Sequence, residues 1–320
     1  MHAKSRTSTP SKRRGPWRYV GPRASALGLL AAGFAVAGCR APVASDISEV
    51  VPGVTYRSDK AAGVDLLDID LLVAKVRPVV VAEHVRTLHG TSIGDAYSVA
   101  EWTERLQAVG GLNGGYFGES YGQFGRRKQI VGLTLCDGSV VVPGGFASSM
   151  TRPGERFLRS VAVFGADGAP DIGWGTGKIG GPLRRYTSPV NPAKSETWPA
   201  RSAIACGPRL FIDGRREITD HQERLMSPGR LSRSFIAFDR ENGRPRHLLL
   251  GRCDSMEFTD LAAYLTDYFA RTHGTAPREA MCLDGGPSAQ LVYRRAGGSI
   301  IDTRPTGMFV PTAILLIPTR

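Results

Sequence analysis

Cysteine is sparse in this chain of 320 residues. There are five, Cys39, Cys136, Cys206, Cys253 and Cys282, and no two of them form a Cys-x-x-Cys pair. Structural zinc needs paired ligands at short spacing, so the sequence argues against a zinc domain. Histidine does not fill the gap. Only His84 and His89 lie close together, and their offset does not put them on one helical face. No stripe of basic residues interleaved with aromatics is present, which argues against nucleic-acid binding. No segment recurs at the roughly 20–50-residue period of repeat architectures. The N-terminal uncharged run, Ala24–Gly38, falls short of the ~18 residues a membrane-spanning helix requires.

A chain that is 42% hydrophobic and 22% charged has enough apolar side chain for a sizeable core. Its 39 glycines exceed the usual ~7% and fit a fold with many turns. The net charge of +12 overstates the basicity of the folded part. Residues 1–38 carry seven Lys/Arg and no acid, and without them 34 basic residues face 29 acidic ones.

Residues 1–38 read as a targeting segment, basic as far as Arg23 and apolar after it. The run closes on Val36-Ala37-Gly38-Cys39, which resembles a bacterial lipobox with Cys39 as the lipidated residue. The alternative is an ordinary secretory signal with an incidental cysteine. Arg13-Arg14 suits a twin-arginine route poorly, because Gly15-Pro16-Trp17 follows. The resemblance implies an exported protein held on the membrane by lipid at Cys39. It favours the outer membrane in a Gram-negative source, since Arg40 and not Asp follows the cysteine. Residues 39–50 then read as a tether and 51–320 as one domain. The other four cysteines allow three disulfide pairings or remain buried thiols.

Ser98-Val99-Ala100-Glu101 is a capping box that opens a helix through Trp102, Leu106 and Val109, with Gly110-Gly111 as its stop. Thr259–Arg271 is the clearest helix, with Leu261, Leu265, Tyr268 and Phe269 on one face and Gly274 as its stop. Asp137-Gly138 predicts a hairpin between Val131–Cys136 and Ser139–Val142. Residues 165–200 show little periodicity and read as a long irregular stretch. The helix joins two apolar runs, His247–Leu250 and Ala280–Leu283, so a parallel crossover is expected. The fold class that follows is α+β, a mixed twisted β-sheet with flanking helices.

Ala280–Leu283 ends on Asp284, followed by Gly285-Gly286-Pro287-Ser288. An apolar strand closed in this way delivers a carboxylate to its end, where open sheets place their sites. Asp-Gly is equally a common turn pair. A second glycine-rich strand end is Leu112-Asn113-Gly114-Gly115-Tyr116-Phe117. Two other patterns fail on context. Gly175-Thr176-Gly177-Lys178-Ile179-Gly180 is followed by Gly181-Pro182 where a nucleotide fingerprint needs a helix. Gly90-Thr91-Ser92-Ile93-Gly94 matches a nucleophile elbow without the tight strand-to-helix turn, leaving a serine esterase with Ser92 and His247 or His273 as a remote reading.

Taken in order, Asn113-Gly114-Gly115-Tyr116-Phe117, Arg233-Ser234-Phe235-Ile236-Ala237, the helix 256–269 and Leu283-Asp284-Gly285-Gly286-Pro287-Ser288 resemble the phosphodiester glycosidase family. The resemblance spans about residues 51–318. It departs where Ala237 replaces a glycine and where Asp260 separates Thr259 from Leu261. It implies a hydrolase that cleaves a sugar-1-phosphate diester at the sugar C1–O bond, in envelope or extracellular polysaccharide. On that reading Asp284 is the carboxylate that steadies an oxocarbenium-like carbon or activates water. Arg233 binds the phosphate, and Asn113 meets sugar hydroxyls or water. Gly114, Gly115, Gly285 and Gly286 supply backbone N–H groups, with Tyr116 and Ser288 at the substrate. No cofactor is implied; a divalent cation on Asp284 stays open, with no ligand set to hold it. The rival of another class is a non-catalytic glycan-binding or exopolysaccharide-assembly lipoprotein on the same fold.

Overall fold

The computed structural model describes residues 46–148, 154–225 and 229–319. Residues 1–38, read as a targeting segment, Cys39 and residues 40–45 of the stretch read as a tether lie outside the described residues. Within the stretch read as tether, Asp46–Val51 is already a strand.

The fold is not α+β with flanking helices. It is mostly β, about half strand, with two α-helices, α1 (Val99–Arg105) and α2 (Phe258–His273), among the described residues. The strand pairings are antiparallel, so the sheets are not mixed. An eight-stranded sheet runs Asp46–Val51, Val54–Asp59, Val64–Asp70, Arg244–Met256, Leu231–Glu241, Glu279–Cys282, Arg209–Ile212, Arg215–Arg216. A five-stranded sheet runs Ile300–Asp302, Leu291–Arg294, Gly110–Asn113, Ala313–Pro318, Val76–Val81. A seven-stranded sheet centres on Ser202–Cys206 and Ser160–Phe164.

The crossover through α2 joins strands that run in the same direction but never bond each other. Leu231–Glu241 lies between them, antiparallel to both. The apolar runs misled because this sheet is covered on both faces. Ile236 and Phe238 enter a core shared by the three sheets, with Leu112, Ile204 and Ile314. Phe235 and Ala237 point the other way, against Leu261, Leu265 and Phe269 of α2. A short strand buried on both sides reads as a continuous apolar run, and periodicity cannot then assign its pairing.

The start of α1 and the end of α2 follow the sequence signals, but α1 stops at Arg105, short of Gly110-Gly111, which open a buried strand. Ser98 and Glu101 form the reciprocal capping box of α1, and Gly274 takes φ 69° at the end of α2. Three fully buried side chains of α2, Leu261, Leu265 and Phe269, contribute about 1.5–3 kcal/mol each by burial. Asp137 (φ 49°) and Gly138 (φ 79°) turn the predicted hairpin, Thr134–Cys136 against Ser139–Val142.

Residues 165–200 are not irregular throughout, for Pro170–Thr176, Arg184–Tyr186 and Ser195–Thr197 are strands of the seven-stranded sheet. Glycine hid the first of them. A Cβ on Gly173 would stand 2.9 Å from the Trp198 ring, so the strand gives up side chains to seat an indole.

Candidate active site

Strand Glu279–Cys282 is buried at every position, between Leu231–Glu241 and Arg209–Ile212. Beyond its end the Leu283 N–H donates to the Ser234 carbonyl at 2.8 Å, and the Asp284 N–H to the Gly114 carbonyl at 3.2 Å. The Asp284 carbonyl accepts from Asn113 Nδ2 at 2.8 Å. Two backbone carbonyls and the Asn113 amide therefore fix where the Asp284 side chain emerges.

Asn113 is fully buried. Its Oδ1 accepts from Ser234 Oγ at 2.5 Å and from the Gln290 N–H at 3.1 Å. Its Nδ2 also reaches the Gly114 carbonyl at 3.4 Å. The amide is spent on the protein, so Asn113 stands behind Asp284 and not against a ligand. Gly114 and Gly115 are buried as well. A Cβ on Gly114 would lie 2.3 Å from Thr312 Oγ1, and one on Gly115 2.5 Å from the Ala205 carbonyl. These glycines permit close backbone packing, and the Gly114 N–H is already donated to Thr312 O at 2.9 Å. The structure gives no support to an anion nest there.

The Asp284 carboxyl lines a cavity of about 320 Å³ together with Tyr116, Gly207, Arg233, Phe258 and Gly286. Burial pushes its pKa from the usual 3.8 up to about 6, against the opposing pull of the Ser288 hydroxyl and the Gly285 N–H. The Gly285 N–H holds Oδ1 at 3.1 Å. Gly286, at φ 59°, opens the short turn Gly286–Ser288 that returns Ser288 to the carboxyl. A Cβ on Gly285 would stand 2.5 Å from the Ser232 carbonyl, so glycine lets the loop close on that strand.

Arg233 is buried beside the same cavity. Its Nε donates to the Met256 carbonyl at 2.7 Å and one Nη to the Gly229 carbonyl at 2.8 Å. The guanidinium centre lies 3.8 Å from the Phe258 ring centroid. Its charge is thus held rigidly in the wall of the cavity. Tyr116 donates its hydroxyl to the Gly207 carbonyl at 2.7 Å. Burial raises its pKa far above the ordinary phenol value, so it stays protonated.

Asp284, Arg233, Tyr116, Gly285 and Gly286 come together, with Ser288 immediately behind. Ser92 does not join them. It sits in mid-strand at 4% exposure, its Oγ bonded to Thr87 Oγ1 at 2.7 Å. His247 and His273 stack on each other and pair with Asp239 and Asp68. The esterase reading has no geometry behind it. Cys136, Cys206, Cys253 and Cys282 are free thiols, and Cys282 lines the cavity. Among the described residues no group of three or more His, Cys, Asp or Glu gathers to hold a metal ion.

The sequence reading missed three contributors. Phe258 is the platform under Arg233. Ser234 and Gln290 are the partners that saturate Asn113. Ser234 lies inside a quoted motif and Gln290 two residues beyond one, but nothing in their spacing shows which way they point.

A sequence model described as phosphodiester glycosidase matches residues 107–317. The chain belongs to the phosphodiester glycosidase family. The matched region holds Asn113, Tyr116, Arg233 and Asp284 and begins after α1. No curated protein matches the chain. Among solved structures it is similar to a hypothetical protein from Synechocystis, at 14% identity and TM-score 0.48, over 82% of this chain and 62% of that one. The chain thus spans less than two thirds of that protein's length. A protein of Burkholderia pseudomallei K96243 described as exported is similar at 13% identity and TM-score 0.50, over 83% of this chain and 74% of that one. At such identity the second likeness shows the fold alone.

Proposed function

We propose that this phosphodiester glycosidase-family chain hydrolyses a sugar-1-phosphate diester at the C1–O bond, with Asp284 as the reacting carboxylate. The observation that carries this reading is the placement of Asp284 and Arg233 in one cavity, although 51 positions separate them in sequence. A diester phosphate needs positive charge, which Arg233 supplies from the wall. The anomeric carbon needs a carboxylate at its side, and Asp284 is oriented for this by Gly285 and Ser288.

In the proposed step a water oxygen bonds to C1 and the C1–O bond breaks. The electron pair leaves with the phosphate monoester, and Asp284 takes the water proton. A phosphate monoester leaves more readily than an alkoxide, so the reaction does not need a second carboxylate as a strong acid. Asn113 serves as a positioning residue, because its amide sets the backbone of Asp284 without touching substrate. Tyr116 closes one wall, its hydroxyl tied to Gly207.

The substrate class we infer is a glycosyl phosphodiester of envelope or extracellular polysaccharide. Support for that location comes from the lipobox-like end of residues 1–38, with Cys39 as the anchor. Mass analysis of the protein from its native membrane would show diacylglyceryl on Cys39 if the anchor is real; an unmodified Cys39 would remove it.

Hydrolysis in ¹⁸O-labelled water tests the chemistry. Label in the released sugar is the expected result. Label in the released phosphate would mean P–O cleavage and would sink the glycosidase reading.

A further inference from the structure

Away from Asp284, the edge strands of two sheets part and leave a cleft of about 620 Å³. Asp46–Val51 is the edge of the eight-stranded sheet and Ile300–Asp302 that of the five-stranded sheet. Tyr56 and Tyr293 line the cleft, with ring centroids 4.4 Å apart and planes within 19°. The Tyr56 hydroxyl donates to Asp65 at 2.8 Å, and Tyr293 is only 5% exposed. Tyr293 is thus covered by Tyr56, and Tyr56, held by Asp65, is the ring that offers surface to the cleft.

Val50 and Val51 both pack on the core between the sheets, because the register shifts between Glu49 and Val51. Ser48 lies directly across from Tyr56 in the register. On the other edge, Ile301 packs on the core and stands across from Tyr293, and Thr303 follows two residues later. On the first edge the residue level with Tyr56 and the one two before it are polar, Ser48 and Asp46, and on the second Thr303 follows Ile301.

An aromatic floor flanked by hydroxyls and carboxylates is the chemistry of sugar recognition. A pyranose lays its C–H face on the ring while its hydroxyls donate at the rim. The charged residues of the lining are Asp46, Glu49, Asp302 and Arg295, and Asp46 pairs with Lys60 at 2.9 Å. The volume falls in the range of pockets that hold small ligands.

We propose that this cleft is a second carbohydrate-binding site, separate from the Asp284 cavity, that takes a neutral oligosaccharide. Tyr56 stands across from Leu67, Leu67 from Leu250, and Leu250 from Ile236. Three strand spacings put the floor roughly 14 Å from the strand that carries Ser234. A polysaccharide bound here keeps its chain beside the cavity.

The test is titration calorimetry on the Asp284→Asn protein, with chitotetraose and maltotetraose as probes and tetragalacturonate as the anionic comparison. We expect at least one neutral tetrasaccharide to bind, with glucose-1-phosphate failing to displace it. Tyr56→Ala should weaken binding about tenfold or more, while Tyr56→Phe, which keeps the ring, should not. Should Tyr56→Ala fail to fold, Ser48→Trp on the exposed edge decides, since it fills the cleft and should abolish binding. No binding of either neutral probe at millimolar concentration overturns the site. So does displacement by glucose-1-phosphate, undiminished binding in Ser48→Trp, or preference for the anionic probe. None of these outcomes depends on hydrolysis at Asp284.

Discussion

The side-chain amide of Asn113 donates to the backbone carbonyl of Asp284 at 2.8 Å, across 171 residues of sequence. Since Oδ1 of the same amide accepts from Ser234 and Gln290, one buried side chain joins three segments of the site. Asn113→Ala leaves the Ser234 hydroxyl, the Gln290 N–H and the Asp284 carbonyl without that partner. A loss of roughly 2–4 kcal/mol is expected, read as a lower urea midpoint. With Asn113 in the proposed positioning role, the variant's kcat should fall more than its KM rises.

Asp284 makes stability depend on pH. Its folded pKa, about 6, lies above the ordinary 3.8, so the folded state holds the proton more tightly than the unfolded one. The favourable contribution is complete below about pH 3.8 and is lost as pH rises through about 6. Asp284→Asn removes the buried charge and should melt at a higher temperature than wild type at pH 7–8. The gap should narrow as pH falls through 6 and close near pH 4. Scanning calorimetry of both proteins over that range checks the sign.

The same ionisation should govern the rate. A carboxylate that takes a proton from water must be ionised, so kcat/KM should fall below about pH 6 and level off above it. A rate that fell above pH 6 instead would make Asp284 a proton donor.

Arg233 is fixed by two carbonyls and by the Phe258 face. Lysine has neither the fork nor the flat surface, so Arg233→Lys is not conservative here. We expect weaker binding of a sugar-1-phosphate by about tenfold, with a smaller loss for the sugar alone. Equal losses for both would show that Arg233 shapes the cavity without sensing phosphate.

Gly114→Ala brings a methyl to within 2.3 Å of Thr312 Oγ1 and 2.7 Å of Ile204 Cδ1. Overpacking of this kind costs about 1–3 kcal/mol. The thermal midpoint should drop, with the Asp284 loop losing protection in hydrogen exchange, because its anchor is the Gly114 carbonyl.

The motif residues were legible in sequence to different depths. Asp284 at a strand end, the stop at Gly274 and the Asp137-Gly138 hairpin follow from local chemistry and are found as expected. Arg233 could be paired with Asp284 through the family order alone. An asparagine before two glycines looks the same whether it faces a ligand or the protein itself. The contacts that separate these cases come from Ser234, Asp284 and Gln290, far away in the chain. The sheets were misread for a related reason. Phe235 to Phe238 are buried on both faces, so their run carries no alternation. In Pro170–Thr176, Gly173 and Gly175 pack against Trp198 and erase the strand signal altogether.

The most direct test is Asp284→Asn assayed on a sugar-1-phosphate diester, with binding and turnover measured on the same preparation. The prediction is a folded protein that binds the diester within a few-fold of wild type and hydrolyses it at least about a hundredfold more slowly. Turnover at the wild-type rate by the folded variant would contradict the assignment of Asp284 as the reacting carboxylate.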